Sequence, residues 1–459
     1  MRFQTVHTPT SLTEGPISQA LISFALPLLL GNLFQQLYNT ADSLIVGNFL
    51  GSEALAAVSS SGNLIFLMVG LVNGVSMGAG VVIARYFGAK DYDRMQKTIH
   101  TLLAFGLVAG VLLTVVGVAL SPVMLRLMDT PETVLPNSIS YFRTYFTGSL
   151  AFVLYNICMG ILQAVGDSRH PLQYLIISSL VNVVLDLLFV GVFHMGVWSA
   201  AAATAISQLV SMALCLLRLM RSERAYRVSL RKIRFDRRAL LEILQNGLPA
   251  GLQSTVFSLS NVVIQSAINS FGSTVVAGNS AASNLEGFIY TGMNAFAQAA
   301  VTFTSQNVGA RRYDNLDRVM RNCLLCVTVA GLFLGCGAYF GGEVLLHFYS
   351  TDEAVVAAGL SRMQIICTAY FLCGIMDTLA SCLRGRGYSV IPMVVSLVGS
   401  CLLRLVWIAT IFRMFRSTGT LYISYPISWA LTAGVHLICL LVVRKKMNDQ
   451  LKEERHLAA

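Results

Sequence analysis

The chain states part of itself twice. Gly88-Ala89-Lys90-Asp91-Tyr92-Asp93 returns as Gly309-Ala310-Arg311-Arg312-Tyr313-Asp314, a shift of 221 residues (309 − 88 = 221). Gly166, Ser168 and Pro171 return as Gly387, Ser389 and Pro392 at the same spacing. Asn63-Leu64 and Gly51-Ser52 likewise return as Asn284-Leu285 and Gly272-Ser273. A unit this long is no solenoid repeat. It prescribes two homologous halves meeting at an interface, the arrangement in which membrane proteins with internal repeats place a substrate path.

The halves are built for lipid. Hydrophobic residues make up 55% of the chain and charged residues 12%, against roughly a quarter charged in a soluble domain. Mean hydropathy is +0.67. A helix needs about 20 apolar residues to cross the hydrocarbon, and runs of that length recur throughout. Twelve are expected, near 18–41, 55–83, 98–120, 139–163, 172–193 and 197–219, then near 241–270, 276–304, 318–341, 357–383, 389–412 and 420–443. The fold class is therefore an all-α polytopic membrane protein. Its expected divisions are 1–220 for the first lobe, 221–238 for a basic linker, and 239–459 for the second lobe with a short tail.

Six spans is an even number, so both halves start from the same side and form parallel repeats. If both termini are cytoplasmic, that side receives Arg85, Lys90, Arg94, Lys97, Arg169, the run from Arg221 to Arg238, Arg311, Arg312, Arg318, Arg321, Arg384, Arg386 and Arg444-Lys445-Lys446. Only Arg126, Arg143, Arg362, Arg404, Arg413 and Arg416 fall elsewhere. The positive-inside rule selects this orientation. The net charge of +10 then reflects a basic cytoplasmic face beside anionic headgroups, and nucleic acid is not expected as a partner. The polar stretch before Ile17 predicts no cleaved signal peptide. Ten cysteines lie in expected helices without a disulfide framework, and Cys323-x-x-Cys326 lacks the further ligands of a zinc site.

Small residues suit close helix packing in lipid, as in Gly74-x3-Gly78 and the run Ser199 to Ala203. Gly78-x-Gly80 follows no strand, which argues against a phosphate loop. Pro27 removes a backbone hydrogen bond from the first span and is expected to bend it, and Pro249 takes the corresponding place in the seventh.

Of 22 acidic residues, four fall within or at the edge of spans: Asp42, Asp186, Glu286 and Asp377. Such acids are functional candidates by default. Gln35, Tyr38 or Asn39, and Asp42 share one helical face, Asn182 and Asp186 are four apart, and Thr204 lies in the next span. Two carboxylates, an amide and a hydroxyl thus converge in the first half. Deprived of water and crowded together, they would take a proton or a bare cation, and their oxygens suit Na⁺. The second half is the internal control: Asp186 maps to Trp407 (186 + 221 = 407) and Asp42 maps near Val263 or Ile264. The duplicated fold keeps its packing without these acids. Asp377 maps onto Asn156 (156 + 221 = 377), and Arg404 is a candidate partner for Glu286 or Asp377.

With these residues in view, the chain resembles a multidrug and toxic compound extrusion (MATE) transporter over all twelve spans. The resemblance is carried by Pro27, Tyr38-Asn39-x2-Asp42-Ser43, the Gly88-Ala89-Lys90 and Gly309-Ala310-Arg311 loops, Gly166-Asp167-Ser168, Asn182-x3-Asp186 and Thr204. It implies a V-shaped pair of lobes that exchange Na⁺ or H⁺ for amphipathic, often cationic compounds. In DinF-like members the cation site uses residues matching Asp42, Asn182, Asp186 and Thr204, and its occupancy is linked to bending at the proline matching Pro27. NorM-like members use acids in the seventh and tenth spans. This chain has Asp377 in the tenth but only Gln253 and Asn261 in the core of the seventh.

The resulting expectation is a monomeric, non-enzymatic antiporter of the cytoplasmic membrane, without a cofactor beyond its coupling ion. Gln35, Tyr38, Asn39, Asn156, Gln253, Glu286 and Asp377 are its candidate cavity residues. A lipid-linked precursor flippase of the same superfamily would carry a cationic cavity, whereas these membrane acids favour cationic cargo. A membrane-embedded transferase would need clustered acids for Mg²⁺-diphosphate or a paired nucleophile, and the sequence has neither.

Overall fold

The computed structural model describes residues 12–50, 52–127, 130 and 132–458. The leader reading before Leu12 and Gly51 of the repeat lie outside the described residues. Among the described residues, every regular element is helical. The first half comprises α1 (Ile17–Leu50), α2 (Ser52–Gly88), α3 (Tyr92–Leu127), α4 (Leu135–Thr147), α5 (Ser149–Ala164), α6 (Arg169–Asp186) and α7 (Trp198–Arg221). The second comprises α8 (Arg237–Asn269), α9 (Ser273–Gly309), α10 (Tyr313–Phe340), α11 (Gly342–His347), α12 (Glu353–Ile366), α13 (Tyr370–Gly385), α14 (Val390–Ser396), α15 (Leu403–Ala409), α16 (Ile411–Met414) and α17 (Thr418–Ala458).

All twelve expected spans are helical. Among the described residues, eight helices qualify as membrane spans outright by length and hydropathy, and ten once α4 with α5 and α12 with α13 are each joined across bends of 48° and 47°. The remaining two of the twelve are α8 and α9. For α9 the lower hydropathy has a physical reason: it buries Ser305 and Asn307 inside the protein, where hydrogen bonds to Val301 O and Phe303 O and from Asn315 replace lipid contact. Elsewhere the surface is apolar, with Val108, Val111, Leu112 and Val115 of α3 and Ile438, Leu441 and Val442 of α17 exposed.

The duplication recurs in backbone detail. Gly166 and Gly387 adopt φ of +91° and +92° just past α5 and α13. The following Asp167 and Tyr388 N–H groups close back onto Leu162 O at 2.8 Å and Leu383 O at 3.1 Å. Glycine is favoured here because the left-handed turn that ends a helix crowds a Cβ. Lys90 and Arg311 both take a left-handed backbone, at φ of 59° and 56°. The two bent spans correspond as well, since Gly148 plus 221 is Ala369, in the gap between α12 and α13. Both α1 and α8 continue as helix past their prolines.

Two compact units emerge, Met1–Leu252 with Gly309–Arg311 and Gln253–Val308 with Arg312–Ala459. In the first, Ile83, Met95, Ile99, Leu102, Val153, Ile157 and Ile161 are fully packed at the centre. There Gly74 and Gly78 of α2 oppose Gly251 and Gly247 of α8, so close that a Cβ on either α2 glycine would strike the facing backbone. Two glycine pairs of i, i+4 spacing thus let these helices touch main chain to main chain. In the second unit, α13 packs on α10 and α17, and Ile264, Ile268, Phe412 and Leu421 form a separate cluster.

At the α5–α6 turn, burial alone would raise the Asp167 carboxyl, but His170 and Arg218 outweigh it and hold it below its ordinary 3.8. His170 Nδ1 lies 2.7 Å from Asp167 Oδ2 and the His170 N–H donates to Oδ1 at 3.2 Å.

Gly74→Val or Gly78→Val should destabilise the detergent-solubilised protein by about 1 to 3 kcal/mol or more. Gly80→Val, where a Cβ meets nothing within 4 Å, should be tolerated; thermal unfolding of the three variants is the measurement. A carboxyl with a lowered folded-state value stabilises above its unfolded value and loses that contribution as pH falls through the lowered one. Asp167→Asn should therefore cost about 1 kcal/mol at pH 7, and its unfolding curve should converge with that of the parent protein as pH falls below 3.8.

Candidate functional site: a buried acid pair and its duplicate

α1 ends its apolar stretch with Asp42, and α6 ends with Asp186 just before a π-helical turn, Leu187–Val192. The two carboxyl groups lie within hydrogen-bond reach of one another. Asp186 and Asn182 are fully buried and Thr204 is 7% exposed. With its amide turned so that both ends find complementary partners, Asn182 Nδ2 donates to Asp186 Oδ2 at 3.0 Å and its Oδ1 accepts from the Thr204 N–H at 3.2 Å. Thr204 Oγ1 donates to Ala200 O at 3.1 Å. This leaves Oδ1 of Asp42 and Oδ1 of Asp186 buried and without a donor. Two carboxylates side by side in this setting repel each other unless a proton or a metal cation joins them.

The four residues expected to form a cation site are thus gathered in one place, and Tyr38 joins them. Its hydroxyl reaches Thr204 and it lies in electrostatic range of both acids. Sequence reasoning missed Tyr141, buried beside both acids, and Tyr145 next to Tyr38. Their i, i+4 spacing on α4, with ring centroids 6.4 Å apart, was the available signal. Gln35 and Asn39 of the expected face are exposed. Asn156 donates to Phe152 O at 2.8 Å, along its own helix.

The second unit holds a different arrangement. Arg404 was a candidate partner for Glu286, but the structure assigns that role to Arg362. Arg362 grips Glu286 in a two-pronged pair at 2.8 and 2.7 Å and donates to Asn279 Oδ1 at 2.7 Å. Hydropathy could not single out Arg362, because only the helix packing brings it to α9. Asp377 is hydrogen-bonded to Tyr290 and in electrostatic range of Arg384, and Arg384 donates to Gln253 Oε1 at 2.6 Å. Both acids have basic neighbours, whereas among the described residues no basic group pairs with Asp42 or Asp186. Among the described residues, no cluster of three or more His, Cys, Asp or Glu gathers as for a transition metal, and Cys323 faces Cys382 within the packing.

Two repeats of six spans around buried polar clusters define an internally duplicated, multi-pass membrane protein. The chain belongs to the MatE family, whose profile matches residues 27–188 and again 249–410, each match starting on one of the paired prolines. It is 27% identical over 392 residues to the probable multidrug resistance protein YoeA of Bacillus subtilis, covering 84% of this chain and 85% of that one. To the multidrug export protein MepA of Staphylococcus aureus it is 21% identical over 444 residues, covering 96% and 97%. A crystal structure of MATE in complex with MaL6 shares the fold at a TM-score of 0.90 and 21% identity, covering 97% of this chain and all of that one.

Breaking the buried pair tests its role. Glu286→Gln or Arg362→Met alone strands one charge and should cost about 3 to 5 kcal/mol. The double variant should recover much of that loss in thermal unfolding.

Proposed function

We propose that this protein is an antiporter of the cytoplasmic membrane, exporting amphipathic, cationic organic compounds in exchange for H⁺ or Na⁺ by alternating access. In this reading it works as a monomer with both termini cytoplasmic. The observation that carries the reading is the Asp42–Asp186 pair, with one orphaned oxygen on each acid, buried inside a chain whose relatives are named as multidrug resistance and export proteins.

The pair links α1 to α6, and Asn182 and Thr204 extend the link to α7. Without a cation the two negative charges repel and favour separation of α1 from α6. A proton would convert the repulsion into a hydrogen bond, and Na⁺ would bridge the orphaned oxygens together with the Asn182 carbonyl and Thr204 hydroxyl. Either ion therefore prefers the arrangement that holds α1 against α6, and such a difference in affinity is what shifts a two-state equilibrium. Pro27 leaves α1 one backbone bond short at the point where it would bend.

Asp42→Asn and Asp186→Asn, reconstituted in proteoliposomes, should reduce gradient-driven drug export to the level of protein-free vesicles while eluting as folded protein. Undiminished export in both variants would reject the site. Imposing a Na⁺ gradient and a pH gradient separately identifies the coupling ion.

A further inference from the structure

The segment that joins the halves, 221–238, carries eight basic and two acidic residues. It is folded down onto the first unit at several points. Tyr226 and Val228 are buried in the core of that unit. The Val228 N–H donates to Leu219 O of α7 at 3.1 Å, the Ser229 N–H to His100 Nε2 of α3 at 3.1 Å, and the Asp236 N–H to Thr101 Oγ1 of α3 at 3.0 Å. One turn earlier on α3, Gln96 donates to the carbonyls of Ala225 and Arg227. Hydrogen bonds of this kind fix the backbone and so settle which side chains are left outside.

Those left outside are Arg227, Leu230, Arg231, Lys232, Arg234, Phe235, Arg237 and Arg238. The bases stay uncancelled: Asp236 Oδ1 accepts from the Ala239 N–H at 2.9 Å at the start of α8, and among the described residues no salt bridge closes on the segment. Gln96, Met220, Arg227, Leu230, Arg231 and Lys232 line a cleft of about 720 Å³. Arg227 Nε donates to Met220 O at 3.1 Å, which holds that guanidinium in place. Leu230 and Phe235, each 51% exposed, stand among these charges. The apolar stretch of α3 begins near 98 and that of α7 ends near 219, so the segment lies where the hydrocarbon gives way to headgroups. Exposed apolar side chains interleaved with unpaired bases suit a segment resting in the interface of an anionic bilayer.

We propose that the 221–238 segment is a binding site for an anionic phospholipid, its headgroup phosphate held in the cleft by Arg227, Arg231 and Lys232 while Leu230 and Phe235 enter the acyl boundary. Guanidinium and ammonium donors make charge-assisted hydrogen bonds to phosphate oxygens, and a fixed backbone spares the cost of ordering a loose loop. The bound lipid would tie α3, α7 and the start of α8 to the membrane surface. The proposal rests on the chain crossing a membrane and is independent of what it exports.

The test is native mass spectrometry of the detergent-solubilised full-length protein, titrated with dioleoylphosphatidylglycerol, with dioleoylphosphatidylcholine as the net-neutral lipid and glycerol 1-phosphate as the free headgroup anion. The parent should bind phosphatidylglycerol more tightly than phosphatidylcholine. Arg231→Gln with Lys232→Gln should weaken the first phosphatidylglycerol at least ~10-fold, and the charge-keeping pair Arg231→Lys with Lys232→Arg should retain most of the affinity. Leu230→Ser with Phe235→Ser, which keeps every charge, should also weaken it, and these two variants carry the test if the neutralised one does not fold. Lys445→Gln with Lys446→Gln removes the same charge from the exposed tail and should leave that first lipid unaffected. Equal binding by parent and the Arg231/Lys232-neutralised variant, an equal loss in the tail variant, or phosphatidylcholine bound as tightly as phosphatidylglycerol would overturn the proposal. Displacement by glycerol 1-phosphate at equal concentration would do the same, by showing a site for a free anion.

Discussion

An ionised carboxylate in a membrane interior is tolerated only when something positive compensates it, and the two units of this protein meet that constraint in opposite ways. In the second, Arg362 answers Glu286 and Arg384 lies near Asp377. In the first, the partners of Asp42 and Asp186 among the described residues are each other, an amide and hydroxyls. Compensation from within the fold makes a fixed strut. Compensation that must come from outside makes a site whose stability depends on what is bound.

The surrounding structure attaches that site to more than one helix. Asp42, Asn182 with Asp186, and Thr204 stand on α1, α6 and α7, so a change at the acids is felt by three helices at once. The π-helical turn directly after Asp186 is the kind of local irregularity that α-helices concentrate at functional positions. The apposed glycines of α2 and α8 do the opposite, locking two helices at backbone distance with no room for a side chain to adjust. A yielding polar cluster and an unyielding packed crossing thus coexist in one unit.

Much of this was legible in the chain. The twelve spans, the Gly166 and Gly387 turns, and the convergence of Asp42, Asn182, Asp186 and Thr204 follow from hydropathy, duplication and helical spacing. The sequence does not single out Tyr141 and Tyr145, because a tyrosine near a membrane boundary is ordinary and only packing places Tyr141 beside the acids and Tyr145 next to Tyr38. The sequence offered Arg404 as a candidate partner for Glu286 or Asp377 and could not select Arg362 for Glu286, because the two arginines look alike in sequence, each a lone cation in an apolar run.

The sequence by itself determined which segments enter lipid and that the fold is built twice, since both depend on patterns along one chain: apolar length against bilayer thickness, and residue identity at a fixed offset. Only the tertiary structure decided which buried charges cancel. That outcome depends on ångström-scale distances between helices far apart in the chain.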